Sequence, residues 1–92
     1  MEYTYSVALL READGGFSVS VPSLPGCHTQ GDSLEEALAN AREAIRAYVA
    51  SLILDCEPIP GNQDDFGVEV EEPTEVLVRH VSVDAGEALV AA

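Results

Sequence analysis

Alternating apolar and polar side chains mark two strands near the start of the chain. Residues 3–9 place tyrosine, valine and leucine at every second position, with threonine, serine and alanine between them. This period of two is typical of a half-buried strand, and it recurs from Phe17 to Val21. The intervening Asp-Gly-Gly at residues 14–16 tolerates the positive φ angles of a tight turn. The pattern therefore predicts an antiparallel β-hairpin.

A period near 3.6 residues replaces the period of two in the middle of the chain. Ser33 and Glu36 match a capping box, in which Glu36 reaches back to the backbone of Ser33. We expect a helix from Ser33 to about Leu54, capped by Asp32 or Ser33 and ending before Pro58. Its apolar stripe has spacings of three and four and consists of Leu34, Ala37, Leu38, Ala41, Ile45, Tyr48 and Leu52.

The segment PSLPGCHTQGD, residues 22–32, connects the hairpin to the helix. Proline cannot donate a ladder hydrogen bond, so Pro22 ends the second strand. Pro25-Gly26 fits the middle of a type II turn, and residues 28–30 fit a short third strand. We interpret this segment as a turn and helix start that define the fold, formed by Pro22, Pro25, Gly26, Gly31, Asp32, Ser33 and Glu36.

The pattern beyond the helix is less regular. Residues 58–62 contain two prolines and predict a connector, and the alternation at residues 66–70 hints at a short exposed strand that Pro73 ends. Residues 76–83 form an apolar run whose phase slips near Arg79-His80. The slip predicts either a bulge there or a strand that is buried on both faces. Residues 85–92 are small and apolar, and we expect them to fray.

These elements, in the order β-β-β-α-β, predict an α+β fold: an antiparallel sheet of three or four strands with one main helix on one face. The 92 residues are enough for one domain, with its core at about residues 3–83. One helix leaves a sheet face or an edge strand to be polar or paired with another chain. We therefore expect a homodimer or homotetramer, with residues 76–83 as the intermolecular strand. The candidate surface for a partner or for self-association comprises Leu24, His28, Val76, Val78 and Val81.

Charge narrows the classes of partner. Seventeen acidic residues against four arginines, with no lysine, give a formal charge of −13. Binding of nucleic acid or of an anionic membrane requires clustered basic residues, so we expect neither. An acidic surface attracts a basic partner, although it also simply favours solubility. No apolar run approaches the length needed to span a bilayer.

Groups suited to catalysis or metal binding are sparse. Cys27 and Cys56 lack the paired spacing of zinc ligands. Cys27 and His28 are adjacent, so their side chains point to opposite faces of an extended segment; Cys27 fits better as a small buried apolar residue. The hairpin strands carry no carboxylates for two-metal chemistry, and no phosphate-binding glycine motif is present. We expect no catalytic residues, metal or cofactor, and therefore no enzyme.

The absence of a signal-peptide pattern at the N-terminus favours the cytoplasm, where thiols stay reduced.

The segment GGFSVSVPSLPGCHTQGDSLEEALANAREAI, residues 15–45, carries a family resemblance. It resembles the signature of the HicB antitoxins, GG(Y/F)-x-V-x-V-P-D-L-P-G-C-x-T-x-G-D-(T/S)-x-E-E-A-x-x-N-A-x-E-A. A looser likeness runs from Tyr3 to about Pro60. Ser23 stands in place of the usual aspartate, and Ser33 in place of a common threonine.

The resemblance implies a trimmed RNase H-like fold and the role of antitoxin in a type II toxin–antitoxin pair. The implied partner is a small basic HicA-like mRNA interferase with a double-stranded-RNA-binding fold and a catalytic histidine, which the antitoxin binds and masks.

Many members of the family continue into a ribbon-helix-helix or helix-turn-helix module that binds the operator. Residues after Val83 hold neither a basic cluster nor room for one, so we expect no C-terminal DNA-binding module. Three alternatives follow: a minimal antitoxin, a member whose DNA binding is delegated elsewhere, or a solitary oligomeric scaffold or small-ligand binder without a toxin.

Overall fold

The computed structural model describes residues 2–63 and 75–84. The elements follow the order β1 (Glu2–Arg11), β2 (Phe17–Ser20), β3 (His28–Gly31), α1 (Leu34–Leu54) and β4 (Val76–Asp84). The four strands form one antiparallel sheet in the spatial order β3-β2-β1-β4. The predicted α+β fold, one helix on an antiparallel sheet, is confirmed. The strand predicted at residues 66–70, Pro73 and the segment 85–92 lie outside the described residues.

The β1–β2 hairpin closes where the Asp-Gly-Gly segment predicts it. Glu12 N donates to Gly16 O (2.8 Å) and Gly15 N donates to Glu12 O (3.0 Å). Gly15 has a φ of 95°, a value that glycine adopts without the steric penalty of a Cβ atom. Beyond the turn, β1 and β2 pair only from Ala8 to Arg11, so the first half of β1 does not pair with β2.

Strand β4 pairs with β1 in one uninterrupted register, from Glu2 opposite Asp84 to Leu10 opposite Val76. The predicted bulge near Arg79-His80 is therefore wrong. The alternative, a strand buried on both faces, is also wrong, because the side chain of Val78 is 46% exposed. The phase slip has another origin. Val81 and Val83 face the helix, whereas Val76 and Val78 lie on the opposite face of the sheet.

The core lies between α1 and one face of the sheet. The buried stripe of the helix consists of Ala37, Ala41, Ile45, Val49 and Ala50. It packs against the odd-numbered side chains of the strands, among them Tyr5, Val7, Leu9, Phe17, Val19, Val81 and Val83. The opposite face of the sheet carries small polar side chains, including Thr4, Ser18, Ser20 and Ser82. Thr4 Oγ1 and Ser82 Oγ lie 2.7 Å apart across β1 and β4.

Candidate partner-binding surface

Two consecutive turns shape the segment between β2 and β3. Leu24 N donates to Val21 O and Cys27 N donates to Leu24 O, both at 3.0 Å. Pro25 and Gly26 occupy the middle of the second turn, and Gly26 has a φ of 81°. This is the positive value that position i+2 of a type II turn requires. The turns fold the chain back on itself, so that Val21 N also donates to Cys27 O (3.1 Å).

The helix begins with the predicted capping residues in a slightly different arrangement. Ser33 is the N-cap, and its Oγ accepts from Glu36 N (3.1 Å). Glu36 Oε1 accepts from Asp32 N (3.3 Å), not from Ser33 N as the capping box implies. Gly31 lies where β3 meets the helix: a Cβ atom there would lie 2.4 Å from Ala37 N. Close approach of backbone, and not a special φ angle, therefore explains this glycine.

Side chains of α1 hold the turn segment in place. Tyr48 Oη donates to Pro25 O (2.8 Å), and Asn40 Nδ2 donates to Gln30 O (2.7 Å). Cys27, in the same segment, is a free cysteine buried in the core, and burial raises the pKa of its thiol above the usual value. A buried thiol that holds its proton is a poor nucleophile. Its neighbour His28 is exposed.

A second polar cluster joins β1 to the segment that follows the helix. Asn62 Oδ1 accepts from Ser6 N (2.8 Å), and Asn62 Nδ2 donates to Ser6 Oγ (3.1 Å). Ser6 is only 1% exposed and lies in the half of β1 that β2 does not pair. The Asn62 side chain thus supplies the hydrogen-bond acceptor that β2 would offer to Ser6 if Pro22 did not end that strand. Ser23 contributes as well, because its Oγ accepts from Gln63 N (2.8 Å).

Sequence reasoning missed Asn62, although one signal was available. If Pro22 ends β2, the first half of β1 needs another partner for its buried backbone groups. The segment 60–63 supplies that partner, and Tyr5 anchors it further by donating from Oη to Pro60 O (2.6 Å). Burial, and to a smaller extent the neighbouring Tyr3, raise the pKa of the Tyr5 phenol.

Strand β4 is an edge strand with one side of its backbone turned away from the sheet. Arg11 N donates to Glu75 O (3.1 Å), so Glu75 points toward β1. Successive residues of a strand point to alternate edges; the backbone of Val76 and Val78 therefore points outward. Two arginines reach this outer edge: Arg79 Nη1 donates to Val78 O (3.0 Å), and Arg42 Nη1 donates to Ser82 O.

The predicted partner residues do not form one surface. Leu24 and Val81 lie in the core, 0% and 4% exposed. His28 is exposed at the start of β3, at the opposite edge of the sheet from β4. Val76 is half-buried and Val78 exposed, both on β4. Of the five, only these two valines lie close together on a surface that a partner can reach.

Charge is distributed unevenly over the described residues. Their carboxylates are all exposed and lie on the helix, at the turns and at the strand ends: Glu2, Glu12, Asp14, Asp32, Glu35, Glu36, Glu43, Asp55, Glu57, Glu75 and Asp84. The strands carry no carboxylate between their end residues. The described carboxylates therefore lie around the sheet, whereas the interiors of its strands carry no charged side chains other than arginines and histidines.

In residues 2–63 and 75–84, no group of three or more histidine, cysteine, aspartate or glutamate side chains could hold a metal ion. The only helix there, α1, is not long and apolar enough to cross a membrane.

Comparison with known sequences places this arrangement among related proteins. A family model described as "HicB_like antitoxin of bacterial toxin-antitoxin system" matches residues 5–89. A UPF0150 protein of Synechocystis sp. is 43% identical over 76 residues, which cover 83% of this chain and 90% of that protein. Antitoxin HicB 1 of Photorhabdus laumondii is 35% identical over 85 residues, which cover 88% of this chain and 55% of that protein.

Solved structures show the same fold. The chain is similar to one in a toxin–antitoxin complex from Streptococcus pneumoniae, with a TM-score of 0.81 and 25% identity, over 97% of this chain and 74% of that chain. It is also similar to the N-terminal domain of antitoxin HicB from Burkholderia pseudomallei, with a TM-score of 0.62 and 28% identity. That match covers 91% of this chain and 99% of the domain.

Proposed function

This chain belongs to the family of HicB-like antitoxins of bacterial toxin–antitoxin systems, and from that premise we propose that it binds a toxin protein and neutralises it. The partner in this proposal is a small, basic HicA-like mRNA interferase. The chain covers the active site or the RNA-binding surface of the toxin, as the protein antitoxin of a type II pair.

The family match over residues 5–89 carries the proposal. Support comes from the similar chain of Streptococcus pneumoniae, whose structure is that of a toxin–antitoxin complex. The charge of this chain adds a physical reason. An enzyme that cleaves RNA must carry basic groups for the phosphates, and an acidic chain of formal charge −13 is complementary to such a surface.

The proposed role is regulatory and requires no catalysis by this chain. Of the two cysteines, Cys27 is buried, and burial raises the pKa of its thiol, whereas Cys56 is exposed just after the end of the helix. The carboxylates of the described residues lie at separate turns and strand ends and along the outside of the helix. Neutralisation in this proposal rests on steric cover and on electrostatic attraction between the two proteins.

The test uses the full chain and the product of any small basic reading frame next to its gene. We expect the two proteins to co-purify, and we expect addition of the chain to suppress RNA cleavage by the basic protein at equimolar amounts. The association rate should fall as salt rises, because screening weakens attraction between oppositely charged surfaces.

Two results would contradict the proposal. One is a basic neighbour that cleaves RNA equally well with and without the chain. The other is a chain that is recovered from its host only with copies of itself, with no basic protein at low or high salt. The second result would favour the solitary scaffold in place of the antitoxin.

A further inference from the structure

At its N-terminal end, the outer edge of β4 carries strand backbone that pairs with no other strand among residues 2–63 and 75–84. Among the residues that the structure describes, β4 pairs with β1 alone. The backbone groups of Val76 and Val78 point away from the sheet, and both side chains are at least partly exposed. An edge strand of this kind is a template for pairing with another strand, which raises the question of what pairs with it.

We propose that two copies of this chain associate by antiparallel pairing of the segment Glu75–Arg79, with Leu77 on the two-fold axis. In this register Val76 of one copy lies opposite Val78 of the other. Both residues point outward, so each such pair exchanges backbone hydrogen bonds in both directions. The two sheets then form one continuous sheet, with both helices on the same side.

The side chains of Glu75–Arg79 are self-complementary in this register. Glu75 of each copy lies directly opposite Arg79 of the other, so the pairing has an opposite-charge pair at both of its ends. Leu77, which is half-buried at the margin of the core, meets its own copy on the helix side. Val76 and Val78 meet on the other side. The order acidic, apolar, apolar, apolar, basic is therefore complementary to the same order in a second copy that runs antiparallel to it.

Other registers are less favourable. Centring the pairing on Arg79 places two guanidinium groups directly opposite each other, which is destabilising. Pairing further along β4 must displace Arg42, whose Nη1 donates to the outward carbonyl of Ser82. Arg42 thus closes the C-terminal part of the edge and leaves the segment Glu75–Arg79 open.

Arg79 changes its contact on pairing. In the single chain its Nη1 donates to Val78 O (3.0 Å), which covers one of the outward carbonyls. In the dimer this carbonyl accepts from the backbone of the second copy, and the guanidinium turns to Glu75 of that copy. The existing contact of Glu75, with Arg11 Nε at 3.6 Å, is solvent-exposed on both sides and therefore contributes little.

Charge favours a second copy over a basic toxin at this edge. The strand holds no carboxylate from Val76 to Val83, and two of the four arginines of the chain reach its outer edge. A basic protein is repelled there. Two chains of formal charge −13 repel each other over most of their surfaces, and this edge lets them approach with the least repulsion.

The test measures self-association of the full chain by sedimentation equilibrium. The wild type should form a dimer that becomes tighter as salt rises, because salt screens the repulsion between two acidic chains. Glu75→Arg and Arg79→Glu should each weaken dimerisation about tenfold, because like charges then face each other at both ends of the segment. Glu43→Arg on the helix makes the same change in net charge as Glu75→Arg and should leave the dimer intact.

Mixing the two variants separates pairing from misfolding. In a mixed dimer of Glu75→Arg with Arg79→Glu, both end pairs regain opposite charges, so an equimolar mixture should associate as well as the wild type. A wild type that stays monomeric at every concentration overturns the proposal. So does a dimer that both single variants form normally, or a mixture that associates no better than its components. Toxin neutralisation is measured in a separate experiment, and none of these outcomes changes the conclusion drawn from it.

Discussion

Gly31 lies where β3 ends against the first turn of the helix. A Cβ atom at this position would lie 2.4 Å from Ala37 N and 2.6 Å from Ala37 Cα, and backbone atoms cannot move aside as a flexible side chain can. We expect Gly31→Ala to lower the free energy of unfolding by about 1–3 kcal/mol, the usual range for overpacking. Urea denaturation of wild type and variant measures the difference.

Gly61→Ala is the matched control, because nothing lies within 4 Å of the Cβ position at Gly61. It should be neutral, or stabilising by about 0.4–1 kcal/mol through the entropy of the unfolded chain. If both substitutions change stability equally, close approach between the strand end and the helix is not the reason for Gly31.

Cys27 should make the free energy of unfolding depend on pH in the alkaline range. Burial raises the pKa of its thiol above the ordinary value of 9.0. A raised pKa means that the folded chain holds the proton more tightly than the unfolded chain does. The resulting stabilisation is complete below the unfolded pKa and is lost as pH rises through the folded pKa. Stability should therefore fall above about pH 9, by at most about 1.4 kcal/mol per pH unit from this group.

Urea denaturation at a series of pH values tests this dependence. Cys27→Ala should be less stable at neutral pH, by about 1 kcal/mol for the lost packing, but its stability should fall less steeply above pH 9. Tyr5, whose pKa burial also raises, should keep a residual slope at higher pH. Cys56→Ala changes an exposed thiol and should retain the steep wild-type slope. A Cys27→Ala profile parallel to that of the wild type would contradict the assignment.

Among the elements, the segment 60–63 is held to β1 chiefly by Asn62. Its side chain takes the hydrogen bond of Ser6 N in the absence of a neighbouring strand. Asn62→Ala leaves that buried N–H without its acceptor, which destabilises by about 1–3 kcal/mol. We also expect faster hydrogen exchange at the Ser6 amide. NMR measures this rate together with the exchange rates of the neighbouring amides.

Gln63→Ala serves as the control for Asn62→Ala, because Gln63 contacts Ser23 through its backbone N. This backbone contact survives the substitution, so stability and the exchange rate at Ser6 should not change. Equal exchange at Ser6 in all three proteins would mean that Asn62 does not protect this amide.

The elements also show where sequence reasoning succeeds and where it stops. The hairpin and the helix were predicted almost to the residue, since their signals are local: alternation, a glycine turn and a capping serine. The register of β4 was missed because a strand pattern alone does not show which face the helix covers. Asn62 was missed because it lies 56 residues from its partner Ser6, and no local pattern connects the two.

The site was predicted less well than the fold for a related reason. Leu24 and Val81 are apolar, and apolar residues fill the core as readily as an interface; only the structure separates their burial from the exposure of Val78. The acidic charge was visible at once, but its absence from the strand interiors emerges only when the strands are assembled. Composition thus supports the basic partner that we propose, whereas the position of each surface required the fold.

At the scale of the whole molecule, one charge distribution should produce two opposite responses to salt. A formal charge of −13 on 92 residues destabilises the compact state through self-repulsion. Raising the ionic strength from about 0.01 M to about 0.15 M shortens the Debye length from roughly 30 Å to roughly 8 Å. The free energy of unfolding should therefore rise over this range. Measurement on the Glu75→Arg variant, at a concentration at which sedimentation shows a monomer, keeps self-association out of the result.

The same screening should slow association with a basic toxin, because there it weakens attraction instead of repulsion. Chloride and sulfate salts compared at equal ionic strength separate screening from the salting-out effect of sulfate; screening predicts the same response to both. Glu43→Arg reduces the negative charge at an exposed helix position. It should raise stability at low salt and lower the association rate at low salt, with both effects fading as salt rises. Stability and association that change in the same direction with salt would show that net charge does not govern both.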